Sequence, residues 1–153
     1  MSNGLTAVIM DVICLAGSGL AETEHEKDLM IWFAQKDQDI FGIGIVGFDV
    51  SDMGWKKEIF EAQKSFILEV IDSAAQKTGW EKLNYSPKED RVLPVLKELR
   101  EMIMAFSETH AENAVPLKIY PFEEKIMKYD RCEKHRVYLH TLGCIVCNNA
   151  ALG

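Results

Sequence analysis

Cys132-Glu133-Lys134-His135 and Cys144-Ile145-Val146-Cys147 place four metal-ligand side chains in two pairs of identical spacing. Two ligands separated by two residues can turn as a tight knuckle around one ion, and a second knuckle completes a tetrahedral set. No other feature restricts the fold so strongly. Three of the four cysteines are crowded between 132 and 147 together with two histidines, and no export signal is recognisable. That pattern suits metal ligation better than a disulfide framework.

Between the pairs, residues 136–142 alternate in polarity as a hairpin should, and Gly143 adds freedom just before the second pair. On Cys132, His135, Gly143, Cys144 and Cys147, the stretch 132–149 resembles a zinc ribbon or rubredoxin-type zinc knuckle. The resemblance implies a compact, structural Zn²⁺ site with Cys132, His135, Cys144 and Cys147 as ligands. The histidine in place of a cysteine and the short hairpin depart from the commonest ribbon, so a complete nucleic-acid-binding ribbon domain is not implied. His140 is a secondary metal candidate, but it lies in the span and not at a knuckle. Binding by the three cysteines alone would leave an open, catalytic position, with Glu133 as candidate base. Otherwise no catalytic residue is assigned. Redox use of the Cys144/Cys147 pair is disfavoured, because no helix is expected after it to lower a thiol pKa.

In the remainder, Leu5, Val8, Ile9, Val12 and Ile13 recur at helical steps, with Gly17 as a stop and a buried strand as the alternative reading. Thr23-Glu24-His25-Glu26 has the form of a capping box and predicts a helix to about Gln35, against a competing strand at 29–34. Residues 40–50, with three glycines among β-formers, read as an extended segment. A helix is predicted over 55–78, closed by Gly79, and another from the Ser86-Pro87-Lys88-Glu89 capping signal, kinked or restarted at Pro94. Residues 107–121 read as loop with a short strand at 117–120. The expected core is Val8, Val12, Trp32, Phe33, Phe66, Ile67, Val70, Ile71, Leu96, Leu99, Ile103 and Phe106, with Cys14 also buried. The fold class that follows is mostly α with a little β: a helical bundle, a Gly-rich extended segment and a small C-terminal zinc-binding β-hairpin. Residues 1–121 form the body and 122–153 a tail packed on it within a single structural domain.

The net charge of -7 argues against a phosphate-binding surface and fits a basic protein partner better. Lys125, Lys128, Arg131, Lys134 and Arg136 could serve a nucleic-acid-binding regulator, but Glu123, Glu124, Asp130 and Glu133 interleave with them. The glycine string Gly42-Ile43-Gly44-Ile45-Val46-Gly47 lacks the strand and helix flanks a dinucleotide-binding loop needs. The acidic run Glu22, Glu24, His25, Glu26 and Asp28 is explained by capping and the helix dipole. His110 has no partner that the sequence identifies. A cytoplasmic location without membrane insertion is expected, because residues 1–16 carry Asp11 and lack a basic leading segment. Together these readings favour a non-enzymatic protein-binding module, an adaptor or a protein similar in size and charge to small acidic immunity proteins. Zinc-dependent hydrolysis at an open three-cysteine site, or a zinc-hairpin nucleic-acid-binding regulator, is the alternative.

Overall fold

The computed structural model describes residues 3–36, 53–111, 129–140 and 143–152. Its central element is α1 (Asn3–Leu20), in which every residue from Ile9 to Ala16 is buried. A helix apolar on all sides has to be enclosed by other elements, and α1 is enclosed. It packs against α2 (Glu24–Lys36), α3 (Phe60–Ala75), α4 (Glu89–Ala105) and α6 (Ile145–Leu152), while α3 also packs on α4. The short α5 (Glu108–Ala111) follows α4. Among the described residues no helix is long and apolar enough to cross a membrane.

The helical reading of the first segment holds, but the stop at Gly17 does not. α1 runs through Gly17-Ser18-Gly19 to Leu20. At Gly17 the structure requires a close approach: a Cβ there would stand 1.9 Å from the sulfur of Met30 on α2. The missing side chain makes room for the Met30 thioether. Ser18 is also enclosed, and its hydroxyl accepts the backbone N–H of Tyr138 at 3.2 Å. The carboxylate of Asp11, fully buried within α1, accepts the hydroxyl of Tyr85 at 2.6 Å. A buried carboxylate needs such donors to stay in the core.

Capping chemistry defines the start of α2. The Glu26 N–H donates to the Thr23 hydroxyl at 3.2 Å, and the Glu26 carboxylate accepts the Thr23 N–H at 3.0 Å and the Glu22 N–H at 2.9 Å. Residues 29–34 are therefore helix, not strand, and all are buried. Replacing Thr23 by alanine is expected to cost about 1 kcal/mol, read as a lower midpoint in urea unfolding with an unchanged slope.

A 3-10 turn at Lys57–Ile59 precedes α3, so the helix begins at Phe60 and not at Trp55. Trp55 instead stacks on Phe106 with ring centroids 4.9 Å apart, and also meets Phe60 at 5.1 Å. This aromatic group joins the start of α3 to the end of α4. Lys64 completes the join, donating from Nζ to the Met104 and Phe106 carbonyls, both at 2.9 Å. A cation at a helix C-terminus satisfies orphan carbonyls and opposes the dipole's negative end. After α3 the chain reverses through Lys77 and Gly79, both at positive φ.

Three expectations around α4 are corrected. Its N-cap is Lys88, so Ser86 makes no cap and Pro87 precedes the helix. Pro94 does not restart the helix, which runs through it from Glu89 to Ala105. The carbonyl that proline deprives of a donor belongs to Asp90, and both residues are exposed, so water can supply the missing bond. Residues 108–111 are helical and not loop, and His110 has a partner: its Nδ1 accepts the Ser107 N–H at 3.0 Å. Here histidine plays the part glutamate plays in a capping box.

The expected core is buried except Val8 and Phe106, which are partly exposed. Cys14 is buried as expected. The extended segment at 40–50, the strand at 117–120 and the glycine string at 42–47 lie outside the described residues.

Candidate metal centre

The Cys/His site is built on the loop that carries the first pair and on the N-terminus of α6. Around the first pair the chain closes tightly: Cys132 N–H donates to the Val137 carbonyl at 2.9 Å and Arg136 N–H to the Cys132 carbonyl at 2.8 Å. Arg136, immediately after His135, sits at φ 60, a conformation that suits glycine. Its side chain is exposed, so this strain has no compensating burial. Arg136→Gly is expected to stabilise the fold by about 1 kcal/mol, visible as a rise in Tm of about 2–4 °C.

In place of a β-hairpin, the described residues of this stretch show two isolated antiparallel bridges, Arg131 with Tyr138 and His140 with Gly143. Alternation fails because Val137, Tyr138 and His140 are all buried, leaving no solvent face for a half-exposed strand. The Tyr138 N–H is taken by Ser18 of α1 and not by a neighbouring strand. Gly143, at φ 99, exchanges two 2.9 Å backbone bonds with His140.

The second pair opens a helix, which the sequence reading did not anticipate. Cys144 stands immediately before α6, and its sulfur accepts the Cys147 N–H at 3.4 Å, in the manner of an N-cap oxygen. Val137, Tyr138, Cys144, Ile145 and Val146 share one buried cluster with α1 to α4. Tyr129 adds a second tie, its hydroxyl donating to Asp28 of α2 at 2.8 Å. Burial, then hydrogen bonding to Asp28, pushes the Tyr129 phenol well above its ordinary range.

Cys132, His135, Cys144 and Cys147 converge, with their ligand atoms all within 4.8 Å of one another, and could hold a metal ion. Nδ1 of His135 lies 3.7 Å from the Cys132 sulfur, 3.6 Å from that of Cys144 and 3.3 Å from that of Cys147. The Cys132 and Cys147 sulfurs are 3.7 Å apart. A tetrahedron with metal–sulfur bonds of about 2.3 Å and metal–nitrogen bonds of about 2.0–2.1 Å has edges of about 3.8 Å and about 3.6 Å. These four separations lie within about 0.3 Å of those edges, and the Cys132–Cys147 gap is far too long for a disulfide, whose sulfurs lie about 2.05 Å apart.

Without a cation, burial pushes the Cys144 thiol up to about 12 and also raises Cys147. At Cys132 burial acts in the same direction, but hydrogen bonds from the backbone N–H groups of His135 and Lys134 outweigh it and the thiol is lowered. Burial, followed by the charges of Lys134 and Lys82, lowers the pKa of His135, which favours the neutral imidazole a metal requires. Backbone N–H groups are thus aimed at the Cys132 and Cys144 sulfurs, and His135 is held neutral.

His140, the secondary candidate, lies outside this cluster. It is 1% exposed, and neither ring nitrogen meets a hydrogen-bond partner among the described residues. Burial lowers its pKa. Arg131 is engaged with Tyr138, donating to the hydroxyl at 2.9 Å and lying 4.8 Å from the ring centroid. Lys125 and Lys128 fall outside the described residues, so the basic group proposed from sequence is represented by Arg131, Lys134 and Arg136. Glu133 is exposed on the turn between Cys132 and His135.

Comparison with protein-family models, with curated proteins and with solved structures finds no match to this chain. The cluster is therefore assigned on its own geometry.

Proposed function

We propose that Cys132, His135, Cys144 and Cys147 bind one Zn²⁺ as a closed structural centre, and that the protein is a non-enzymatic protein-binding module. The observation that carries the metal reading is the position of His135 Nδ1, within 3.3–3.7 Å of all three sulfurs. Three thiolates and one imidazole suit zinc, and a fourth protein ligand leaves no corner for the water that hydrolysis would require. That arrangement favours the structural role over an open three-cysteine site with Glu133 as base.

The proposed centre fastens the segment beyond residue 129 to the helical body, giving a rigid surface in a chain of net charge -7. A basic protein is the partner this charge would steer and retain, in an adaptor or immunity-type role. The tie of Arg131 to Tyr138 weighs against use of that side chain for phosphate contacts.

Metal analysis of the purified protein is expected to give one zinc per chain. Cobalt substitution should yield the intense visible bands of a tetrahedral thiolate site. Titration with a thiol reagent should find Cys132, Cys144 and Cys147 protected until a chelator is added. A metal-free preparation whose three thiols react at once would remove the zinc reading. For the partner, capture of a basic protein that weakens with added salt is the expected result, and salt-insensitive capture of an acidic one would contradict it.

A further inference from the structure

The three sulfurs differ in what surrounds them. Cys144 is 6% exposed and its sulfur accepts the Cys147 N–H. Cys147 is exposed on the first turn of α6, and Cys132 is partly exposed on the facing loop. Their sulfurs are 3.7 Å apart. Closing that gap to the bonded distance of about 2.05 Å brings the sulfurs together by less than about 2 Å. Solvent-accessible thiolates in such a position are the ones an oxidant reaches first.

We propose that Cys132 and Cys147 form an oxidation site at which hydrogen peroxide creates a Cys132–Cys147 disulfide and thereby releases the metal. The release rests on the zinc reading above. The Cys147 sulfur attacks one peroxide oxygen, the O–O bond breaks, and the sulfur becomes a sulfenic acid while the other oxygen leaves as water after taking a proton. The Cys132 sulfur then attacks the Cys147 sulfur. The new S–S bond forms as the S–OH bond breaks, and the departing hydroxide takes a second proton. Two thiolates lose two electrons and hydrogen peroxide gains them. Only Cys144 and His135 remain as ligands, too few for a closed zinc site.

The chosen pair is the informative part, because the adjacent spacing of Cys144 and Cys147 would suggest that they bond to each other. Cys144 is enclosed with Ile145 and Val146 in the common core, whereas Cys132 faces Cys147 across the open side of the site. Oxidation therefore joins the loop to the helix and not two positions of one helical turn.

The test treats the full-length, zinc-loaded protein with hydrogen peroxide, follows free zinc with a chromophoric chelator, and maps disulfides after trypsin digestion. Trypsin cuts after Arg131, Lys134 and Arg136, so Cys132 leaves on a three-residue peptide and Cys144 and Cys147 stay together on residues 137–153. The expected result is stoichiometric zinc release with the two peptides covalently joined at Cys147, reversed by a dithiol reductant plus zinc. A bond between Cys144 and Cys147, a bond from Cys132 to Cys144, or full retention of zinc under excess peroxide would each overturn the proposal. Zinc already missing before treatment would overturn the parent reading, which separates the two failures. Cys147→His, which keeps a ligand at that corner without the reactive sulfur, should release zinc at least tenfold more slowly. Equal release from that variant would also count against the proposal.

Discussion

Cys144→Ser is expected to abolish zinc binding and to lower stability by about 4 kcal/mol or more, since structural zinc contributes folding free energy directly. For a chain of this size that corresponds to a fall in Tm of about 8–16 °C. Cys144 is buried, and its sulfur also caps α6, so part of the loss could come from packing alone. Adding a strong chelator to the unaltered protein separates the causes. If the metal supplies the stability, the chelator should reproduce most of the fall in Tm and should have no effect on the variant. A melting curve indifferent to the chelator would assign the loss to packing.

Gly17→Leu is expected to be among the most damaging substitutions outside the site, at about 3 kcal/mol or more. A single Cβ at Gly17 would already lie 1.9 Å from the Met30 sulfur, within a region where both helices are buried. Gly17→Ala should be much milder, at about 1 kcal/mol or less, because the obstructing atoms belong to the flexible end of Met30 and alanine is favoured over glycine inside a helix by about 1 kcal/mol. Trimming the obstacle gives the check. In a Met30→Ala background the Gly17→Ala change should become neutral or stabilising, measured as a double-mutant cycle in urea unfolding. A stabilising Gly17→Ala in the unaltered protein would show that the flexible Met30 side chain swings clear at little cost.

Gly17 also shows why part of the fold was not legible in the sequence. Glycine near the end of an apolar run is a common helix stop, and only the presence of Met30 opposite reveals that its purpose is contact. Pro94 misleads for a similar reason, because its cost depends on whether the freed carbonyl of Asp90 is exposed. By contrast, Thr23 and Glu26 satisfy each other within one turn, so the start of α2 could be read locally. The stripes Phe66, Ile67, Val70, Ile71 and Leu96, Leu99, Ile103 were equally readable, since periodic apolar positions need only a common core to face.

At the site, spacing alone identified the four residues that converge, because paired ligands around a turn carry their own geometry. What surrounds them was less accessible. α6 begins from a cysteine sulfur and not from a recognisable oxygen cap, so nothing in Cys144-Ile145-Val146-Cys147 advertised a helix. Polarity alternation over 136–142 suggested a hairpin, but it says nothing about a second surface burying Tyr138 and His140 from the other side.

The all-round burial of α1 bears on how the chain must be made. The helix that α2, α3, α4 and α6 cover is synthesised before any of them, and at about 5–20 residues per second roughly 6–25 s separate its completion from the appearance of Ile145. During that interval its apolar sides have incomplete cover on the nascent chain. Holding factors that shield greasy segments during translation should therefore raise the yield of this protein more than that of a bundle whose innermost helix is made last.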